Sequence, residues 1–164
     1  MAAEAKIPNV LTIAGVDPSG GAGVLADKKI AEKTDEQFDR VFDTKVSGLR
    51  ALLAATAKDP LTSLVLFSSI AARTGNLGQC DYAMANEVLN LVACAERARR
   101  GASCVVRSIG GGPWEGGMVT PSLKAHFTQM GVALIPLDVG AQRFVDELSG
   151  ASDDVTVVVG GAQG

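Results

Sequence analysis

A chain of 164 residues with 47% apolar content has the length and composition of one domain with one buried core, spanning 1–164. Its formal charge is −3, and no basic block beyond Arg97, Arg99 and Arg100 offers a nucleic-acid surface. With one histidine, His126, and three cysteines that form no C-x-x-C pair, no metal site is expected. No apolar run reaches the ~18 residues of a membrane span, and "MAAEAKIPNV" lacks the basic and apolar regions of a signal peptide. The expected setting is therefore cytoplasmic, with Cys80, Cys94 and Cys104 reduced.

In chain order, "NVLTIAG" (9–15) is a short β-branched run that predicts a buried strand, and a glycine-rich loop follows over 15–23. Thr34 and Gln37 form a capping box, which opens a helix running to about Ala57, before Asp59-Pro60. "LTSLVLFSS" (61–69) predicts a second strand, and 79–100 a long helix closed by Gly101. The three arginines at its end complement the helix dipole. A third strand is expected over 103–109, followed by "GGGPWEGG". Thr120 as N-cap and Pro121 at the first helical position open a helix that ends at Gly131 and carries His126 on its surface. A last helix (138–149) and strand (154–161) complete the chain. Strands alternate with helices and are continuous apolar runs, as in a parallel sheet covered on both faces. The fold class is therefore α/β, doubly wound. In such sheets ligands bind beyond the carboxyl ends of the strands, and the loop 15–23, Ser68-Ser69 and "GGGPWEGG" fall there.

Four polar side chains stand out against these patterns. The helix after Thr34 carries an apolar stripe of Phe38, Val41, Phe42, Leu49, Leu52 and Leu53, and the 3.6-residue repeat puts Lys45 inside it. A lysine there either meets a partner or snorkels off the edge of the stripe, and periodicity does not separate the two. Tyr82 and Asn86 lie one turn apart, in line with Leu89 and Ala93, which by spacing suits a core tyrosine and a capped asparagine. Ser69 stands at a strand end, where serines commonly satisfy backbone groups.

"VFDTKVSGLRALLAAT", "LVLFSSIAARTGNLGQCDYAMANEVLN" and "GPWEGGMV" together resemble the ketoreductase domain of polyketide and polyunsaturated fatty acid synthases, within the short-chain dehydrogenase/reductase superfamily. The resemblance runs from about Gly21 to Ala141. It implies a Rossmann-like sheet and NADPH-dependent reduction of a 3-ketoacyl thioester, free or on an acyl carrier protein, to the 3-hydroxyacyl product. In that family the lysine comes from a K-V-x-G segment and the asparagine follows the tyrosine by four, which here are Lys45-Val46-Ser47-Gly48 and Tyr82-x-x-x-Asn86.

The resemblance makes Tyr82 the proton donor. Lys45 lowers the phenol's pKa and holds the nicotinamide ribose. Ser69 stabilises the charge growing on the carbonyl oxygen, and Asn86 orients Lys45 through a water. Gly112, Pro113, Trp114, Gly117 and Met118 form a loop near the nicotinamide.

Three departures qualify the resemblance. No G-x-G-x-x-G turn stands in the right context, so the fold is expected to be truncated at its N-terminal side, with weak NADPH binding and either self-association or a partner chain supplying the missing half. Gly110-Gly111-Gly112-Pro113-Trp114 replaces the family's N-W-G-P-W. Leu25-Ala26-Asp27 lacks the middle acid of L-D-D, which leaves product configuration unassigned. Residues 11–27 also resemble the start of hydroxymethylpyrimidine phosphate kinases of thiamine synthesis, but no later anion hole with a catalytic cysteine follows. A non-catalytic structural remnant is the third reading.

Overall fold

The computed structural model describes residues 10–13, 28–116, 119, 121–129, 131–149 and 152–160. The glycine-rich loop 15–23, most of the kinase-like stretch 11–27, Leu25-Ala26-Asp27, Gly117, Met118 and Thr120 lie outside them. Among the described residues four strands form one parallel sheet: β1 (Val10–Ile13), β2 (Ser63–Ser69), β3 (Val105–Gly111) and β4 (Thr156–Val159), adjacent in chain order. The helices are α1 (Asp35–Ala55), α2 (Ala71–Thr74), α3 (Cys80–Arg100), α4 (Pro121–Gln129) and α5 (Leu137–Leu148).

The predicted capping box holds α1. Thr34 Oγ1 accepts from Gln37 N–H, and Gln37 Oε1 accepts from Thr34 N–H, each at 3.3 Å. Gly101 closes α3 with φ +63, a conformation that glycine adopts without a Cβ penalty. At that end Arg99 and Arg100 grip Glu96, and Arg97 donates to Gly101 O and Cys104 O, so all three arginines serve the helix terminus. β3 extends past the predicted 109 to Gly111, because Gly110 and Gly111 pair with Ser68 and Ser69 on one side and Val158 and Val159 on the other. Ladder bonds here override the low strand propensity of glycine. The single turn α2 and the 3-10 turns at Ile30–Glu32 and Gly101–Ser103 are too short for periodicity to register.

Alternation along β2 and β3 separates two faces. Leu64, Leu66 and Val106 face α1 and α3, joining Leu49, Leu89, Ala93 and Cys104 in the core. Phe67 and Arg107 face the other way, toward α5: Phe67 stacks on Phe144 at 5.6 Å, and Arg107 bonds Glu147 at 3.1 Å. Both faces are thus covered, as a doubly wound sheet requires. The first two connections cross one face and the third carries α5 across the other. All advance the same way across the sheet, so the last crossover has the opposite hand to the first two. The helices α1 and α3 begin near the carboxyl ends of the strands, where the polar residues gather.

Candidate active site

Lys45 lies ten residues into α1, and its ammonium crosses to α3. Nζ donates to Asn86 Oδ1 at 2.8 Å and to Phe67 O at 3.2 Å. It also stands 5.3 Å from the centroid of the Tyr82 ring. Of the two outcomes periodicity left open, the lysine therefore meets partners. Both acceptors are neutral, so no counter-charge offsets the loss of water, and burial pushes the Lys45 ammonium down to about 8.

Asn86 is fully buried at 0% exposure, and every polar group of its side chain is used. Oδ1 takes Lys45, and Nδ2 donates back one turn to Tyr82 O at 2.8 Å. Its own carbonyl accepts from Ser68 Oγ at 3.0 Å, which ties this turn of α3 to β2. The water expected between Asn86 and Lys45 is thereby replaced by a direct bond, because α1 and α3 pack closely enough for the carboxamide to reach the ammonium itself. Tyr82 is half-buried, one turn before Asn86.

Ser69 ends β2, two residues beyond the Phe67 carbonyl that takes Lys45. Its Oγ accepts from Ala71 N–H at 3.2 Å. That bond uses a lone pair and leaves the O–H as a donor. Ser68, one residue earlier, points to the other face and bonds α3. Consecutive strand residues so divide the work, one serine holding a helix and the next standing at the strand's end.

The loop after β3 is tied down on the opposite side. Gly112 N–H donates to Val159 O at 2.9 Å, and Pro113 O accepts from Ile135 N–H at 2.9 Å. Trp114 bridges to Ile135, and its ring lies where a Cβ on Gly140 of α5 would fall. Trp114 is thus packed against α5, while Lys45, Tyr82 and Asn86 meet between α1 and α3. Gly112 and Pro113 continue from the end of β3, whose Gly111 is the register partner of Ser69.

Sequence reasoning passed over two buried polar links. Ser108 Oγ donates to Asn90 Oδ1 at 2.7 Å, one turn along α3 from Asn86. Lys33 and Asp81 form an ion pair at 2.6 Å beside Tyr82. The available signal was on α3, where Asp81 falls into a buried row with Ala85, Leu89 and Ala93. His126 is exposed on α4, and Cys80, Cys94 and Cys104 are free thiols. Among the described residues no group of His, Cys, Asp and Glu could hold a metal ion, and no helix is long and apolar enough to cross a membrane.

The KR domain family model matches residues 4–116, a span that includes the kinase-like stretch 11–27. A polyunsaturated fatty acid synthase polypeptide of Thraustochytrium sp. is 48% identical over 131 residues, which is 80% of this chain and 5% of that protein. Polyketide synthase PksN of Bacillus subtilis is 32% identical over 148 residues, 85% of this chain and 3% of PksN. Among solved structures, a ketoreductase domain from the bacillaene assembly line has a TM-score of 0.72 at 31% identity, covering 84% of this chain and 34% of its own. A-type ketoreductases from a modular polyketide synthase give a TM-score of 0.70 at 31% identity, covering 82% and 28%.

Proposed function

Since the chain belongs to the KR domain family, we propose that it carries the proton-donating half of an NADPH-dependent reductase, acting on a 3-ketoacyl thioester held by an acyl carrier protein. The observation that carries this reading is the Lys45 ammonium, bonded to Asn86 at 2.8 Å and poised 5.3 Å from the only tyrosine ring. The nicotinamide-ribose end of the cofactor fits these residues. Lys45 spends two N–H groups on Asn86 and Phe67, and an ammonium has a third for a ribose hydroxyl. When bound, NADPH supplies the hydride.

The chain's own residues handle the proton and the charge. Ser69 O–H donates to the ketone oxygen and stabilises the charge that grows there. Tyr82 gives its phenolic proton to that oxygen, completing the alcohol. Lys45, charged and short of water, favours the phenolate left behind. Asn86 holds the ammonium in place from the buried side. Gly112 and Pro113 bound the site at the end of β3.

The reading extends to assembly. The outer edge of β1 pairs with no strand among the described residues, which supports pairing with another copy or with a partner segment that completes nucleotide binding. The setting is cytoplasmic, where the three thiols stay reduced. The matched synthases far exceed this chain in length, since it spans 5% of the fatty acid synthase polypeptide. The test is made on this chain. Tyr82→Phe should abolish reduction of a model ketone while circular dichroism stays unchanged. Undiminished turnover by that variant would refute the mechanism.

A further inference from the structure

We propose that Lys33 and Asp81 form a positioning pair that sets Tyr82 against Lys45; the inference rests on the reading of Tyr82 as the proton donor.

Lys33 directly precedes Thr34, the cap of α1, and Asp81 directly precedes Tyr82 on α3. Their side chains are 2% and 0% exposed, and Nζ stands 2.6 Å from Asp81 Oδ2. Gln79, at the start of α3, accepts from Ala83 N–H through its carbonyl, but its side chain makes no capping bond. Asp81 supplies the acceptor instead. Its Oδ1 accepts from Tyr82 N–H at 2.9 Å, one of the amides that a helix start leaves unpaired. Lys33 in turn holds the other oxygen of Asp81 and donates to Gly78 O at 3.1 Å. Gly78 sits at φ +80 in the turn that feeds α3. One lysine thus fixes both the turn before Tyr82 and the acid that orders its backbone.

The pair ties the residue just before the cap of α1 to α3, and Lys45 with Asn86 ties α1 itself to α3. Lys33 anchors the entry to the helix that carries Lys45, so together the two ties set the approach of ammonium to ring. Stability is a weak reason to bury such a pair. Two desolvated charges commonly do no better than apolar residues of similar volume, and removing one partner strands the other. What an apolar pair cannot supply is the acceptor for Tyr82 N–H and the donor for Gly78 O.

The test uses the single tyrosine of the chain, which gives one amide signal in an isotope-labelled sample. The double variant Lys33→Met with Asp81→Leu should retain the parent's thermal midpoint, yet shift or broaden the Tyr82 amide signal and lose the nuclear Overhauser contact between the Tyr82 ring and the Lys45 ε-methylene. Asp81→Asn, which keeps an acceptor for Tyr82 N–H, should displace the same signals less and decides the matter if the double variant does not fold. An unmoved Tyr82 signal with the Lys45 contact intact in the folded variants would overturn the proposal. In the ketone assay kcat should fall about tenfold in Asp81→Asn with KM unchanged, the mark of a misplaced proton donor. The magnetic-resonance readout needs no turnover. Failure of the reductase reading would show as undiminished turnover by Tyr82→Phe, and failure of the pair as an undisturbed tyrosine.

Discussion

Two lysines reach α3, Lys33 from just before the cap of α1 and Lys45 from α1 itself, and they are held differently. Lys33 meets a carboxylate at 2.6 Å. Lys45, further along, meets a carboxamide and a backbone carbonyl, at 2.8 and 3.2 Å. The first charge is spent on Asp81. The second has hydrogen bonds but no counter-ion, and its burial uncompensated by opposite charge is what moves it to about 8. A neutral amide is therefore the informative choice at position 86: it fixes the ammonium in space and leaves the charge for the phenol beside it.

The largest expected effect comes from removing the unspent charge. Lys45→Met should lower ketone reduction by about 10²–10⁴-fold, the range of one acid–base partner. The parent's stability should respond to pH in the opposite sense to that of an ordinary lysine pair. Below about 8 the folded and unfolded chains both carry the Lys45 proton, and the folded state bears the whole burial penalty. Between about 8 and the 10.5 of a free lysine only the unfolded chain binds that proton, so this residue's contribution to stability rises with pH across the window. Thermal unfolding from pH 7 to 10.5 should show the parent gaining on Lys45→Met across this window. A constant difference between the two would mean that the ammonium is not desolvated.

A second variant makes the two ties alike. Reduction by the parent should decline as pH rises through about 8, where Lys45 loses its proton. Asn86→Asp places a carboxylate against Lys45, as Asp81 is placed against Lys33. An opposite charge holds the ammonium protonated to higher pH, so the alkaline limb should move upward, while kcat at neutral pH falls because the charge is shared with the new acid. Rate profiles of parent and variant over pH 6–10 check both signs. An unchanged limb would assign it to a group other than Lys45.

The smallest effect is expected at the exposed cap of α1, next to Lys33. Thr34→Ala removes the bond to Gln37 N–H and should cost about 1 kcal/mol in denaturant unfolding. The tyrosine signal should stay in place, since the buried pair, and not the cap, holds Tyr82. A displaced signal would show that the cap shares in positioning.

What the sequence determined by itself was the local grammar. Alternating apolar runs and helical periods announced a parallel α/β sheet, Thr34 and Gln37 announced the start of α1, and Gly101 announced the end of α3. These signals depend on near neighbours and on backbone preference, which survive without tertiary context. Lys45 was visible as a break in an apolar stripe, but periodicity left its ammonium free to turn either way. Only the packing of α1 on α3 brought it to Asn86, 41 residues on. The same packing replaced the expected water with a direct bond and joined Lys33 to Asp81. The turn of the Trp114 ring toward α5 was decided by the absence of a Cβ on Gly140. Contacts between distant segments arise when two surfaces meet, and their geometry depends on side-chain volumes across the seam that no single-helix pattern encodes.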